Sequence, residues 1–164
     1  NTILSLYHLD FFNLVKNYRH KSHNDLLTVD AVSGGAFFVQ KKFFHSLNGF
    51  NTNLFWMEDI DFCHRTNHAG FKIMYYPKTK IIHYRGKSAE KNWSVAISNQ
   101  LLSKIKYFKM HHSVIKTYLL KVAILIIAFI KFIFFLILSP LDKVYKEKKR
   151  GYLVLVKTIF FNRY

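Results

Sequence analysis

The stretch that decides our interpretation runs from Phe55 to Arg65 and reads Phe-Trp-Met-Glu-Asp-Ile-Asp-Phe-Cys-His-Arg. Three of the nine acidic residues of a protein with net charge +16 lie here within four positions: Glu58, Asp59 and Asp61. Carboxylates in the first turn of a helix each gain about 0.3–1 kcal/mol from the positive end of the helix dipole. A solvated helix start would therefore explain the acidic residues without any function.

Short motifs on both sides of the acidic stretch favour a functional interpretation. Upstream lie Val-Ser-Gly-Gly-Ala-Phe-Phe-Val (32–39) and Leu-Asn-Gly-Phe (47–50), and downstream lie Ala-Gly-Phe (69–71), Tyr-Tyr-Pro (75–77) and Ile-His-Tyr-Arg-Gly-Lys-Ser (82–88). In this order and spacing they resemble the second half of the catalytic domain of family 2 glycosyltransferases, the rhamnosyltransferase-like enzymes of bacterial polysaccharide assembly. The resemblance covers about residues 30–88 and continues weakly through residues 107–112.

The resemblance implies an α/β fold, with the C-terminal, acceptor-side half of a GT-A type domain in residues 1–105. A basic, hydrophobic, membrane-associated helical tail is expected in residues 106–164. The implied activity is inverting transfer of a sugar from a nucleotide-diphosphate donor to a saccharide or lipid-linked acceptor in cell-surface polysaccharide synthesis. The donor-binding half, with the aspartates that bind Mn²⁺ or Mg²⁺, is expected before residue 1, so we expect the 164 residues alone to be inactive.

The resemblance also assigns site residues. Asp59 matches the general base of the family, and Trp56 and Glu58 match residues that shape the acceptor site. Gly34 and Gly35 lie on a segment that lines the sugar pocket in the family. Further along the chain, His83 matches a histidine that completes the metal site or contacts the diphosphate, and Arg85 and Lys87 are suited to bind phosphate oxygens.

Two features limit this assignment. The relatives usually carry Asp-Glu after the Gly-Phe pair, whereas this chain has Asn51 and Thr52. Asp59-Ile60-Asp61 spells the D-x-D pattern of a metal site, but the metal D-x-D of the family ends an earlier strand. At 100° per residue Asp59 and Asp61 lie about 200° apart on a helix, so they are predicted to have different roles. Asp61 is instead spaced to pair with Arg65, four residues later.

Periodicity and turn residues predict the local structure. We expect helices over residues 3–17, 41–47, 58–67 and 93–108, with Asn48-Gly49 and Ala69-Gly70 ending the second and third. Residues 27–40 have the composition of a strand, interrupted at Gly34-Gly35 by a bulge or a close approach to the backbone. Two further strands are expected over residues 71–76 and 80–84, on either side of Pro77.

The last third of the chain is both basic and apolar. Residues 91–164 carry 14 Lys and Arg against 2 Asp and Glu, while residues 1–90 carry 11 against 7. Val122 to Ser139 forms an apolar segment of 18 residues interrupted only by Lys131, and its apolar side chains outweigh a central lysine that costs about 2.5–3.5 kcal/mol in a bilayer. Polar residues from Lys109 to Ser139 fall on about half of a helical wheel, which favours a helix in the membrane interface over a clean span.

These features exclude some classes of protein and leave others open. The single cysteine, Cys63, excludes an internal disulfide and a cysteine-cluster metal site. A nucleic-acid binder is disfavoured because the basic residues are interleaved with Ile, Leu and Phe. We expect a peripheral or partly embedded protein on the cytoplasmic face of the bacterial inner membrane. The alternative to an enzyme is a non-catalytic membrane-surface interaction module or an inactive glycosyltransferase remnant.

Overall fold

The computed structural model describes residues 24–82, 87–90 and 92–161. These residues form two compact units. The first unit contains residues 24–51 and 59–82, and the second contains residues 52–58 together with the described residues from 87 onward. The predicted helix over residues 3–17 and the site residues His83 and Arg85 lie outside the described residues.

The first unit pairs a small sheet with two helices. Strand β1 (Leu27–Val29) and strand β2 (Ile73–Tyr75) are antiparallel, with Leu27 opposite Tyr75 and Val29 opposite Ile73. Between them in sequence lie helix α1 (Lys41–Ser46) and helix α2 (Glu58–His68). Val29, Ile73 and Cys63 of α2 form one buried cluster, so α2 packs on one side of the sheet.

Aromatic rings fill the rest of the core of the first unit. The Phe62 side chain is 1% exposed, and four phenylalanine rings surround it with centroids 5.2–6.4 Å away: Phe37, Phe43, Phe44 and Phe50. Most of these contacts are edge-on, the geometry that the ring quadrupole favours. These five phenylalanines thus supply core that the short strands alone could not.

Both predicted helix ends in this unit are confirmed. Helix α1 ends at Asn48 and Gly49, whose φ angles are 60° and 63°, and a Cβ on Gly49 would lie 2.9 Å from the Phe44 ring. Helix α2 ends before Gly70, whose φ is 82°. Because left-handed backbone favours glycine, these residues stop the helices where the sequence predicts.

The strands are shorter than predicted. Only Leu27–Val29 of the expected strand over residues 27–40 is extended and paired, and Gly34-Gly35 lies in a turn rather than in a bulge. Residues 80–82 of the other predicted strand are irregular. The α/β prediction therefore holds only in part, because the described chain is mostly helical with one two-stranded sheet.

The second unit is helical. It contains helix α3 (Lys87–Glu90), helix α4 (Trp93–His111), helix α5 (Val114–Leu138) and helix α6 (Lys143–Phe160). The side chains of Asn92, Ser113 and Asp142 cap α4, α5 and α6 by accepting a hydrogen bond from a backbone N–H of the first turn. Helix α6 packs along both α4 and α5.

Helix α6 approaches α4 closely at a glycine. A Cβ on Gly151 would lie 2.9 Å from the Cα atom of Ser94, so no larger residue fits there without moving a helix backbone. The predicted basic run over residues 143–150 and the apolar segment over 152–161 form this single helix, which turns Tyr152, Leu155 and Ile159 inward. Helix α4 continues through residue 105, and the predicted functional boundary at 105/106 stays a prediction.

Helix α5 has its polar and apolar faces placed differently from our prediction. The helix breaks at His112-Ser113, so the polar residues from 109 to 139 do not share one continuous wheel. Within α5 the buried side chains Ile124, Ala128 and Phe135 face the neighbouring helices. At 100° per residue Lys131 falls on this same side, and the opposite side exposes only large apolar residues, among them Ile126, Phe129, Ile130, Ile133 and Ile137.

Candidate functional site in the first unit

One face of helix α2 holds the segment from Asp30 to Gly34. Asn67 Nδ2 donates a hydrogen bond to Asp30 O at 2.9 Å, and Cys63 Sγ lies 3.9 Å from Val32 O. Asp59 Oδ2 accepts a hydrogen bond from Gly34 N at 2.7 Å. The three helix residues are spaced by four and the three segment residues by two, so the segment runs antiparallel to the helix.

The two spacings fit because the two backbones advance at matching rates. Four helical residues rise about 6 Å, and two extended residues rise about 6.6 Å. Side chains at 59, 63 and 67 therefore meet successive positions of the segment without strain. Residues 59, 63 and 67 share one helix face, a signal that the sequence contains, although these contacts of Cys63 and Asn67 were not predicted.

Asp59 lies at the first turn of α2 with both carboxylate oxygens engaged. Oδ1 accepts a hydrogen bond from Ile60 N at 2.8 Å and Oδ2 accepts the one from Gly34 N. Each carboxylate oxygen has two acceptor positions, so one on each oxygen is left by these bonds. The side chain is half-buried and Gly34 is exposed, which leaves the carboxylate open to a ligand from the side of the turn.

Gly34 gives this access because it has no side chain. A Cβ at this position would lie 3.4 Å from Asp59 Oδ2 and 3.5 Å from Asp59 Cβ. Gly35 follows in the same turn, where its N–H is 3.5 Å from Ser33 Oγ. The structure thus brings Gly34 of the predicted sugar-binding pair directly against Asp59.

Cys63 is fully buried in the middle of the same face. Burial raises the pKa of the Cys63 thiol above its ordinary value of 9.0, while the nearby Val32 carbonyl lowers it and the Asp59 charge raises it further. The thiol is therefore neutral at physiological pH and is not a nucleophile. Its place in the hydrophobic cluster makes it a packing residue.

Asp61 contacts a different part of the molecule from Asp59, in line with the predicted 200° between them. Asp61 is 0% exposed, and its Oδ2 accepts from Arg65 Nε at 2.9 Å and lies 2.8 Å from Arg65 Nη2. Arg65 also donates to Leu47 O and, at 2.7 Å, to Gly49 O. The predicted Asp61–Arg65 pair is confirmed, and it ties α2 to the end of α1.

The two carboxylates of Asp59-Ile60-Asp61 do not form a metal site. Asp61 is occupied by Arg65 and points away from the Gly34 turn that Asp59 contacts. Within the described residues there is no group of three or more His, Cys, Asp or Glu side chains that could hold a metal ion. His64 and His68 do meet on α2, with their Nε2 atoms 3.2 Å apart.

Trp56 and Glu58 belong to the second unit. Trp56 lies in the segment before α2, and Glu58 is the first residue of that helix. The backbone of the segment before α2 is held by Ser103 Oγ, which accepts a hydrogen bond from Phe55 N at 2.8 Å. Trp56 has a φ of 68°, a conformation that is rare for a bulky residue. Glu58 Oε2 is buried and has no hydrogen-bond partner among the described residues. A strained aromatic residue and an unsatisfied carboxylate oxygen are features that cluster at binding sites.

Comparison with known protein families gives one match. Residues 19–87 match the family described as the N-terminal domain of galactosyltransferase. This match supports a glycosyltransferase. It covers less than half of the 164 residues, and no curated protein and no solved structure matches the chain significantly.

The match coincides with the site described above. The glycosyltransferase segment contains the Gly34 turn, Trp56, Glu58, Asp59 and the whole of α2. Lys87, its last residue, is exposed at the start of α3. The match names a galactosyltransferase, whereas the sequence motifs resemble the rhamnosyltransferase-like enzymes, so the family 2 type, the GT-A fold and the acceptor-side half stay predictions.

Proposed function

We propose that the chain is part of an inverting nucleotide-sugar glycosyltransferase of the family 2 type. It transfers a sugar from a nucleotide-diphosphate donor to a saccharide or lipid-linked acceptor in cell-surface polysaccharide synthesis. The family match over residues 19–87 supports the class of enzyme. The observation that carries the proposal is Asp59, a carboxylate fixed by two backbone N–H groups and open toward the Gly34 turn.

Asp59 acts as the general base in this proposal. Inverting transfer needs a carboxylate that removes the proton of the acceptor hydroxyl as the sugar is transferred. The Gly34 and Ile60 N–H groups hold the carboxylate in one orientation, so it need not reorganise when the acceptor binds. Within the described residues no other hydrogen bond to its oxygens is seen, so the remaining acceptor positions can take the hydroxyl hydrogen.

The other predicted residues bind substrate. Gly34 and Gly35 allow a sugar to approach the backbone, and the unsatisfied Oε2 atom of Glu58 is suited to accept a hydroxyl of the acceptor. Trp56 offers an aromatic face for a sugar ring. Lys87, with Arg85, is assigned to the donor phosphates.

A divalent metal, Mn²⁺ or Mg²⁺, is part of the family's chemistry, where it neutralises the leaving diphosphate. The described residues do not fit such a site. Asp61 is paired with Arg65, whereas Asp59 accepts a hydrogen bond from the Gly34 turn. His83 is a single imidazole, which suits these metals less well than carboxylate oxygen does. We therefore derive no step through a metal from this chain.

The second part of the proposal concerns the membrane. Helix α5 is 25 residues long, and by length and composition it could cross a membrane. Its length as a helix is about 37 Å, against about 30 Å for the hydrocarbon core. Since the side of α5 that faces away from its neighbours is apolar throughout, we propose that this face contacts lipid at the cytoplasmic side of the bacterial inner membrane.

Asp59→Asn in the protein as its gene encodes it tests the enzyme. Loss of the base should lower the rate of sugar transfer by about 10²- to 10⁴-fold, while donor binding stays unchanged. Asn also replaces one of the two acceptor oxygens, so the control is Asn67→Ala, which removes another contact of the same segment but keeps the base. A transfer rate that falls equally in both variants would contradict a catalytic role for Asp59.

A non-catalytic membrane-surface module is the second candidate function, favoured by the extent of the exposed apolar face of α5. In that case Asp59→Asn would leave the biological function intact while substitutions on α5 abolish it. Since both candidates use the apolar face of α5, it is the outcome of Asp59→Asn that distinguishes them.

A further inference from the structure

Two histidines meet on a side of helix α2 that does not hold residues 30–34. His64 and His68 are four residues apart, and their Nε2 atoms lie 3.2 Å from each other. Their ring centroids are 4.3 Å apart and the ring planes are tilted by 44°. His64 is half-buried and His68 is exposed, so the pair lies at the surface of the first unit.

The helix fixes the positions of both histidines. Helix α2 includes His68 in its last turn, and this turn is closed by hydrogen bonds that Ala69 N and Phe71 N donate to carbonyl groups of α2, at 3.0 and 3.2 Å. The neighbouring cation, Arg65, is turned toward Asp61 and the end of α1. The two imidazole rings therefore belong to an ordered part of the backbone.

The spacing of the two nitrogens fits a single metal ion. With metal–nitrogen bonds of about 2.0–2.1 Å, two nitrogens 3.2 Å apart subtend about 100–106° at the metal, close to the angle of a tetrahedral zinc site. Histidines four residues apart on one helix face are also the zinc ligands of the H-E-x-x-H motif. This chain has His-Arg-Thr-Asn-His (64–68), without the glutamate that acts as the base there, so the site is not expected to be hydrolytic.

The ligand type selects the kind of metal. In the structure as it stands one Nε2 atom donates to the other, and a bound metal takes the place of that hydrogen and accepts a lone pair from each ring. Imidazole nitrogen suits Zn²⁺, Cu²⁺ and Ni²⁺, whereas Mg²⁺ and Mn²⁺ prefer oxygen ligands. The pair is therefore chemically different from the metal site expected for the donor diphosphate.

We propose that His64 and His68 bind Zn²⁺, with water completing its coordination, and that the bound ion clamps the last two turns of α2. Within the described part of the chain no third His, Cys, Asp or Glu joins the pair. With two protein ligands, the ion exchanges with solution instead of being a permanent part of the fold. The inference goes beyond the proposed function and does not depend on it.

Titration of the whole chain with Zn²⁺ tests the site. Isothermal titration calorimetry compares the parent chain with His64→Gln and His68→Gln, and with His45→Gln as the control, because His45 is an exposed histidine on α1 of the same unit. Loss of an outer partner of a metal ligand alone weakens binding about 10- to 100-fold. We therefore expect a loss of at least about tenfold when either ligand is replaced and none for His45→Gln, and we expect Mn²⁺ not to displace the zinc.

Urea unfolding gives a second readout. A ligand that binds only the folded chain, at a hundred times its Kd, raises the folding constant about a hundredfold. The urea midpoint of the parent chain should thus rise with Zn²⁺, and that of His68→Gln should not. Equal midpoints of the two chains in EDTA show that the exposed substitution has not disturbed the fold.

Three results would overturn the proposal. Equal Zn²⁺ affinity in the parent chain and His68→Gln, or no binding by the parent chain, would rule out the site. A rise of the urea midpoint with Zn²⁺ that is the same in both chains would rule out the clamp. Displacement of the zinc by Mn²⁺ would rule out nitrogen ligands. None of these measurements uses sugar transfer, so their failure is distinguishable from failure of the proposed enzyme.

Discussion

The Gly34 N–H group donates a hydrogen bond of 2.7 Å to Oδ2 of Asp59, 25 residues later in the chain. This bond joins the turn after the first strand to the first turn of α2. It fixes the orientation of the carboxylate, and the missing side chain of Gly34 keeps the carboxylate open. The same contact therefore orients the predicted base and gives access to it.

Substitutions at Gly34 should hinder the access of substrate to Asp59 while changing the stability of the fold little. The Cβ of Gly34→Ala would meet Asp59 Oδ2 at 3.4 Å, an ordinary contact, so we expect the free energy of unfolding to change by less than about 0.5 kcal/mol. Gly34→Val adds two methyl groups beside the carboxylate, and sugar transfer should fall progressively from Gly to Ala to Val. Ser33→Val is the control, because it adds a side chain of the same size to the same turn but not at the position beside Asp59. Transfer that is unaffected by Gly34→Val would show that substrate does not approach from this side.

Arg65→Met should destabilise the first unit strongly. It would take the Arg65 charge away from the fully buried Asp61 carboxylate and remove two donors from the end of α1. Breaking a buried ion pair from one side costs about 3–5 kcal/mol, which urea unfolding would measure. Arg65→Lys keeps the charge but loses the planar fork, so an intermediate loss is expected. A loss below about 1 kcal/mol for Arg65→Met would mean that Asp61 reaches solvent.

The Cys63 thiol should be inert in the folded protein and make its stability depend on pH. Its pKa is raised in the fold because of burial, so the unfolded chain loses its proton first as the pH rises. The contribution is fully present below the unfolded pKa of about 9.0 and is lost as the pH rises through the folded pKa. Cys63→Ala should remove this part of the alkaline decline, while rapid alkylation by iodoacetamide at pH 8 in the native state would contradict the buried position.

Charge on the outer face of α5 should weaken membrane binding. Ile130 and Ile137 are 60% and 71% exposed, and Lys at both positions places two charges on the proposed lipid face. A lysine at the centre of a membrane helix costs about 2.5–3.5 kcal/mol, so partition into phosphatidylcholine vesicles should fall more than about a hundredfold. Thr52→Lys with Thr79→Lys adds the same charge at exposed positions elsewhere. Equal binding of the two double variants would rule out the proposed face.

The sequence determined the local structure wherever the backbone preference or the spacing of a few residues was sufficient. Asn48-Gly49 and Gly70 end α1 and α2 because left-handed backbone suits these residues. The Asp61–Arg65 pair follows from a spacing of four on a helix. The apolar run after Lys121 forms most of a long helix, as its composition requires.

Only the tertiary structure decided which residues meet across the chain. The length of β1 depends on its pairing with β2, and α2 rather than a strand holds residues 30–34. A helical wheel shows that Lys131 shares a side of α5 with Ile124 and Phe135. Only the structure shows that this side packs against α6. Periodicity records which side chains share a face of one element, but the partner of that face depends on contacts between residues far apart in sequence, and these form only when the chain folds.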